Sequence, residues 1–415
     1  FNSIVVRKTS SASIDEGSLG ATVELNTARP LDFGEPTLVL SYQQGYNDLS
    51  ESFDPRVAGV ASWANTANTF GVLASVAYSD RTIREEGAQS GGWERNSNTG
   101  ADRWGSCPAC TTPEQTTAVN NAVHARFPRY VGFDHEQERL GLTGSLQWRP
   151  NEATTFSVDV LYSNLDSTRT EPFLEAISFA RGNAAGRGST DVLAYEIDGN
   201  NTMGYGPFND DAVLSDNRHD DRNTEFLQYS ATLKYEPTDD LRIDLLAGTS
   251  ESNLEVEKQT TIILENFDSD GYSYDFRGND QRPAIVYGFD TTDPANWVVS
   301  EVRERPSTND NSFDTFRMDV AYDLTDVWTM KTGMSWKKYG FDVAEARRDK
   351  TLPIATASCN LPRQTVTDAD GRVISNGQDR FFIADVNAMA DRIGLYTNDA
   401  CFPLVTSVND TRSVE

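Results

Sequence analysis

Between Leu140 and Arg149 the chain alternates almost residue by residue. Leu140, Leu142, Leu146 and Trp148 fall on one side of an extended backbone, and Gly141, Thr143, Ser145, Gln147 and Arg149 on the other. The same pattern returns in 70–79, where Phe70, Val72, Ala74, Val76 and Tyr78 oppose Gly71, Ser75 and Ser79. In 226–236, Leu227, Tyr229, Ala231, Leu233 and Tyr235 oppose Gln228, Ser230, Thr232, Lys234 and Glu236. In 327–337, Trp328, Met330, Met334 and Trp336 oppose Thr329, Lys331, Ser335 and Lys337. A period of two belongs to a strand with one apolar and one polar face, not to a helix.

Reading this signal along the chain places nine strands near 37–45, 55–65, 69–84, 134–149, 154–168, 223–236, 241–257, 312–323 and 327–344. Four connections are short, at Thr66–Asn68, Pro150–Ala153, Pro237–Asp240 and Leu324–Asp326. The connection near 46–54 is modest. Those at 85–133, 169–222 and 258–311 are long, and another opens at 345. Short connections on one side and long ones on the other are the pattern of an outer-membrane β-barrel, with tight periplasmic turns and large extracellular loops. Trp63, Phe70, Trp148, Phe156, Tyr235, Tyr322 and Trp328 all sit near a short turn, as a belt of rings at a membrane–water boundary requires. A soluble β-sandwich would also contain aromatics. It would not gather them beside the short turns, nor carry such long loops on one side only. The expected fold is all-β: an antiparallel transmembrane β-barrel, partial, with long extracellular loops.

No run of about 20 apolar residues exists, which excludes a transmembrane helix. A mean hydropathy of -0.53 does not argue for solubility, because alternating strands hide from such averages. The net charge of -27, from 63 acidic and 36 basic residues, makes nucleic acid a poor partner. It fits the solvation of long polar loops, or a field favouring cations and neutral ligands.

Cys107, Cys110, Cys359 and Cys401 all lie in turn-rich polar segments, which suits disulfides in an oxidising compartment. Cys107-Pro-Ala-Cys110 lacks the βαβ setting of a thioredoxin-like redox site. A zinc site would need two further ligands, with His124 and His135 available at no usual spacing. A structural disulfide pinning the loop tip is the leading reading. Cys359 and Cys401 share the fifth loop and can pair there, with partners outside this sequence as the alternative. Asn266 to Gly271 has the first half of a calcium-loop spacing, but position twelve is Arg277, so a turn is favoured, as it is at Asp368 to Gly371. Pro113 and Glu114 suit the first turn of a short helix within 112–127. No catalytic motif stands out: there are three His residues, and no G-x-S-x-G, H-E-x-x-H or P-loop. Neither an enzyme nor a bound metal or cofactor is expected.

The long loops are rich in aromatics with amide, carboxylate or guanidinium neighbours, a combination suited to sugars. Trp93, Trp104, Tyr205, Tyr272, Tyr274 and Trp297 are the candidate ligand contacts, with packing between loops as the alternative for each. On this expectation Trp297→Ala weakens binding without unfolding the sheet.

Near the start, Glu16-Gly-Ser-Leu-Gly-Ala-Thr-Val-Glu-Leu-Asn-Thr-Ala-Arg-Pro30 reads as a glycine-punctuated turn and an alternating strand, Thr22 to Thr27, ended by Pro30. The stretch resembles the last segment of the plug domain of TonB-dependent outer-membrane receptors, where E-G-x-x-G-G-T-V-x-I-x-T-x-x-P leads into the first barrel strand. It is closest to the proteobacterial branch that often takes up carbohydrates, with Ala21 in place of the second Gly. The resemblance implies a plug end over 1–33 and the first part of a barrel over 34–415. Plugged outer-membrane transporters use about 22 strands, so nine would be under half. It implies a receptor that moves its ligand with energy from the inner-membrane TonB complex, located in the outer membrane of a Gram-negative bacterium in contact with its lipid. An oligosaccharide is the favoured ligand; a ferric siderophore or cobalamin receptor, or an adhesive barrel, are the alternatives. The plug–barrel seam falls on Glu16, Gly17, Gly20, Thr22, Thr27, Arg29 and Pro30. The chain begins at Phe1 and ends at Glu415 without a closing strand signal, so it reads as part of a longer protein.

Overall fold

The computed structural model describes residues 3–8, 20–95, 104–177, 179 and 186–414, with backbone only for Leu25, 407–411 and 413–414. The dominant element is one antiparallel meander. Its strands are β1 (Thr37–Asn47), β2 (Ser52–Ala64), β3 (Phe70–Gln89), β4 (Arg129–Asn151), β5 (Thr154–Ala176), β6 (Asp211–Thr238), β7 (Leu241–Ser269), β8 (Ser307–Asp323), β9 (Thr329–Arg347) and β10 (Val405–Val414). Each pairs with its neighbours in sequence, and β1 and β10 are the edges. All nine expected strands are present in the expected order. β10 is an addition: the last long connection returns to the sheet and pairs Val414 with Tyr339.

The four short connections are 65–69, 152–153, 239–240 and 324–328. Their sequences explain them. Asn65 Oδ1 accepts from the amides of Thr69 and Phe70, and Asn68 takes the left-handed conformation at φ 50°. The Thr325 carbonyl and hydroxyl both accept from the Trp328 amide. The β1–β2 connection is tighter than expected, only 48–51, because Asn47 Oδ1 accepts from the amides of Leu49 and Ser50.

The register shows which residues share a face. Leu38, Leu40 and Tyr42 lie beside Ala61, Gly59 and Val57. These continue through Val72, Ala74 and Val76 to Leu146, Gly144 and Leu142, and on to Val158, Val160 and Tyr162. The row then crosses Ala231 and Tyr229, Ala247, Phe316 and Met318 to Trp336 and Met334. This apolar face is turned to the surroundings: Leu40 is 76% exposed, Met334 56% and Trp148 52%. On β2 to β5 the polar face is the covered one, with Ser62, Ser145, Gln147 and Ser157 buried, whereas on β1 and the start of β9 both faces are exposed. Near the short turns the sheet is therefore inside out relative to a water-soluble protein.

The apolar band has two aromatic borders. Trp63, Phe70, Trp148, Phe156, Tyr235, Tyr322 and Trp328 line the short-turn side, as expected. A second row, made by Tyr78, Tyr162, Tyr229 and Trp336 on the same face, lines the other side. Beyond that row the face becomes polar within one step of the pleat: Tyr78 gives way to Asp80, Leu140 to Glu138 and Leu227 to Glu225.

Past this border β3 to β7 run on well beyond their expected ends, and the long connections pack around them. The outward face there is covered by a hairpin, Gly371–Ser375 with Arg380–Ala384, and by the helix Val386–Ile393. Ser215 Oγ donates to the Phe382 carbonyl at 2.6 Å and Asn217 Nδ2 to that of Ala384 at 2.8 Å. The strand Val298–Glu304 takes over the edge of β7 where β8 leaves it. The Cys359–Cys401 disulfide closes 42 residues of the last connection, and Cys107–Cys110 closes a tight loop. The helix expected within 112–127 spans Pro113–Asn121. Thr112 and Gln115 cap it reciprocally, and residues 123–125 form a strand instead.

The opening segment packs on the polar face. Thr22–Asn26 is a strand paired with Ser3–Arg7, and Pro30–Phe33 is a single helical turn. Glu16 and Gly17 lie outside the described residues. At Gly20 an added Cβ would meet nothing within 4 Å, so no close contact requires glycine there. Such a requirement exists at Gly71 on β3, where a Cβ would sit 2.9 Å from Pro30 Cβ, 3.0 Å from the Trp63 carbonyl and 3.1 Å from Leu31 Cδ2. Gly71→Val should destabilise the chain by about 1–3 kcal/mol through overpacking and expose the Phe33–Gly34 bond to chymotrypsin. Gly20→Val should do neither. Thermal unfolding and limited proteolysis of the two variants check this.

Candidate functional site

The polar face carries two sites, one at each end of the sheet. At the short-turn end, Leu31 donates its amide to Gln147 Oε1 at 2.9 Å, and Gln147 Nε2 donates to Ser157 Oγ at 3.2 Å. Arg29 pairs with Asp159 at 2.9 Å, and Ser145 Oγ donates to the same carboxylate at 2.6 Å. The segment is thus fixed to β4 and β5 by an ion pair, a backbone bond and the burial of Pro30 and Leu31. Beside it lies a cavity of about 740 Å³ lined by Asn26, Thr27, Arg29 and Asp32 on one side and by Thr143, Asp159, Gln228 and Lys234 on the other. Its lining is mainly polar, as the period-two pattern dictates.

At the far end the same face carries a strip of guanidinium and carboxylate groups. Arg129 pairs with Glu175 and Arg169 with Glu171. Arg218 makes two bonds to Asp220, each 2.9 Å, and Arg222 reaches Asp220 at 2.7 Å. Arg303 bonds Glu301 at 2.6 Å, and Arg305 makes two bonds to Asp349. Rings are interleaved: Arg129 lies 4.1 Å over Phe173, and Arg169 4.9 Å over Phe133. Asp216 faces Phe173 across the β5–β6 pair, is buried, and has no hydrogen-bond partner for Oδ1. Burial raises its carboxyl to about 7. Glu175 and Glu301 push the same way, and Arg303 and Arg129 oppose them.

The loop aromatics divide. Trp104, Tyr272, Tyr274 and Trp297 are 7%, 0%, 0% and 1% exposed and sit inside the core built by the long connections, as the packing alternative has it. Trp104 stacks on Phe208 at 5.8 Å, and Tyr272 and Tyr274 pack against Phe179 and Phe208. Trp297 packs edge-on against Phe289 at 5.3 Å and donates Nε1 to the Thr291 carbonyl. The strands β6 and β7 extend far enough to bring these rings together, which one-dimensional spacing does not reveal. Trp93 and Tyr205 do remain near the surface and share one patch. Trp93 lies 5.2 Å from Phe276, and Arg277 stacks 3.8 Å over Tyr205. Around Asn266 the carboxylates and amides bond to backbone as turn and strand contacts. Asn266 Oδ1 accepts from the Asp268 amide, and Asp270 Oδ1 from that of Asp210.

The charged strip is the part that sequence reading missed. Its signal is present: Asp216, Arg218, Asp220 and Arg222 alternate in sign at every second position, as do Arg169 and Glu171. In a strand that spacing puts them side by side on one face.

Trp297→Ala should therefore lower stability by about 3–5 kcal/mol, measured by denaturant unfolding, in place of a selective loss of binding. Asp216 gives a pH-dependent outcome. The unfolded chain ionises it near about 3.9, whereas the native state holds the proton to about 7. Its contribution to stability is complete below about pH 4 and is lost as pH rises through about 7. Asp216→Asn should leave stability at pH 4 nearly unchanged and raise it at pH 8 by up to about 4 kcal/mol, at about 1.4 kcal/mol per pKa unit.

No family model matches the chain, and no curated protein matches it.

Proposed function

We propose that this chain is part of a TonB-dependent outer-membrane receptor, with residues 1–33 the end of its plug and 34–415 the first part of its transmembrane barrel. The observation that carries this reading is the exposed apolar band bounded by two aromatic rows, with the polar face turned inward. From Phe70 to Tyr78 the band covers eight steps of strand, about 27 Å along the chain and about 20 Å across once tilted by about 45°. That approaches the apolar belt of about 25 Å around outer-membrane barrels. Soluble monomers rarely expose a contiguous apolar patch beyond a few hundred Å². Lipid is the medium that such a face fits. On this reading the short turns face the periplasm, the long connections face outward, and further strands pair with the free edges of β1 and β10.

The seam supports transport over adhesion, because a segment seated on the inner wall is what a plug needs and an adhesive barrel does not. An oligosaccharide is the proposed ligand, from the branch resembled and from the surface patch at Trp93 and Tyr205. The TonB complex would supply the energy. Deleting the gene and measuring growth on oligosaccharides and under iron limitation tests this. A defect confined to sugars supports it, and a defect confined to iron limitation moves the reading to a siderophore receptor.

The membrane part has its own test. Met334→Arg places a charge inside the band and should cost about 2–4 kcal/mol of folding into lipid vesicles. Trp148→Arg lies at the border and should cost about 0–1 kcal/mol. Equal penalties would contradict the placement of the band.

A further inference from the structure

Where the strip crosses β5, β6, β7 and the strand Val298–Glu304, the polar face opens into a cavity of about 110 Å³. It is lined by Phe173, Asp216, Arg218, Gln259, Thr261, Arg303 and Arg305. Three guanidiniums reach this space, and Asp216 is the only carboxyl in its lining among the described residues. Arg303 is bonded to Glu301 through Nε alone, which leaves its terminal nitrogens for another acceptor. Arg218 and Arg305 are held from behind by Asp220 and Asp349 in two-point pairs, so their planes are fixed. Asp216 is nine-tenths buried, lines the cavity, and leaves Oδ1 without a partner. Such an orphaned polar atom is costly unless something completes it. The space is too small for a sugar chain, whose sites run to about 300–1,000 Å³. It does admit an anionic head group.

We propose that this cavity is a subsite for the carboxylate of an acidic ligand, held by Arg218, Arg303 and Arg305, with the partnerless Oδ1 of Asp216 completed by a hydrogen bond shared with that carboxylate. Gln259 and Thr261 supply further polar contacts, and the Phe173 ring closes one wall. The charged groups facing Asp216 are Glu175 on β5, Arg129 on β4, Arg218 on its own strand β6, and Glu301 and Arg303 on the strand beside β7. Ionisation of Asp216 adds a negative charge next to the bound carboxylate and removes the donor, so binding weakens as pH rises. The geometry stands by itself. That the carboxylate belongs to transported cargo rests on the receptor reading above and narrows it to acidic sugars.

Calorimetric titration of the purified chain with galacturonate, galactose and acetate tests the subsite. Galacturonate should bind saturably, galactose should not, and acetate should compete with galacturonate for the same site. Arg303→Ala should weaken galacturonate at least tenfold, with partial recovery in Arg303→Lys. Affinity should fall about tenfold from pH 6 to pH 8, and Asp216→Asn, which keeps a donor, should flatten that fall. Equal binding of galactose, no competition by acetate, or an Arg303→Ala variant that binds as the parent does would each overturn the proposal. Saturable galacturonate binding by the protein, with galacturonate uptake unchanged when its gene is deleted, would remove the receptor reading and leave the subsite standing.

Discussion

A strand has two faces and no third option, and in this protein the apolar one is turned outward. Everything else follows from that assignment. Backbone pairing of each strand with its neighbours, from β2 through β9, satisfies the amides and carbonyls whatever lies outside. The side chains then sort by parity: leucines, valines, methionines and rings to the exposed side, and serines, threonines, glutamines and ion pairs to the covered side. A one-residue slip in any strand would reverse its faces, which is why the register between β3 and β6 holds without interruption over most of its length.

The polar face then has to be occupied or solvated. At one end the Pro30–Phe33 turn occupies it, admitted by the missing side chain at Gly71 and anchored by Gln147 and Asp159. At the other end paired arginines and acids occupy it, and Asp216 is the group left over. The long connections solve a different problem. Beyond the second aromatic row the strands are wet on both faces unless covered, and the loops cover the outward side with a core of their own, stapled by Cys359–Cys401.

What was legible in the sequence tracks where a single rule governs. The near halves of β1 to β9 alternate cleanly because one medium meets each face, so their order and short turns could be read directly. The far halves of β6 and β7 could not. Asp211 to Asn217 and Thr260 to Glu265 are covered on both faces, and double coverage erases the alternation. β10 was missed because Val-Thr-Ser-Val-Asn-Asp-Thr-Arg has few apolar positions, as an edge strand tolerates. The loop aromatics were assigned to ligand because an aromatic beside an amide looks the same in sequence whether it meets a sugar or another ring. Only the tertiary core separates Tyr272 and Tyr274 from Trp93 and Tyr205. The acidic and basic alternation at Asp216 to Arg222 obeys the same period-two rule as the strands, but charged residues carry no apolar signal and look the same in a solvated loop.

The central claim is that the apolar face meets lipid. Single cysteines at Leu40, Val158 and Met334, and at their neighbours Ser41, Asp159 and Ser335, can carry a fluorophore in vesicles containing brominated acyl chains. The account predicts strong quenching at the first three positions and little at the second three, alternating residue by residue. Equal quenching at both sets, or a chain that remains a stable monomer in water without lipid or detergent, would contradict it.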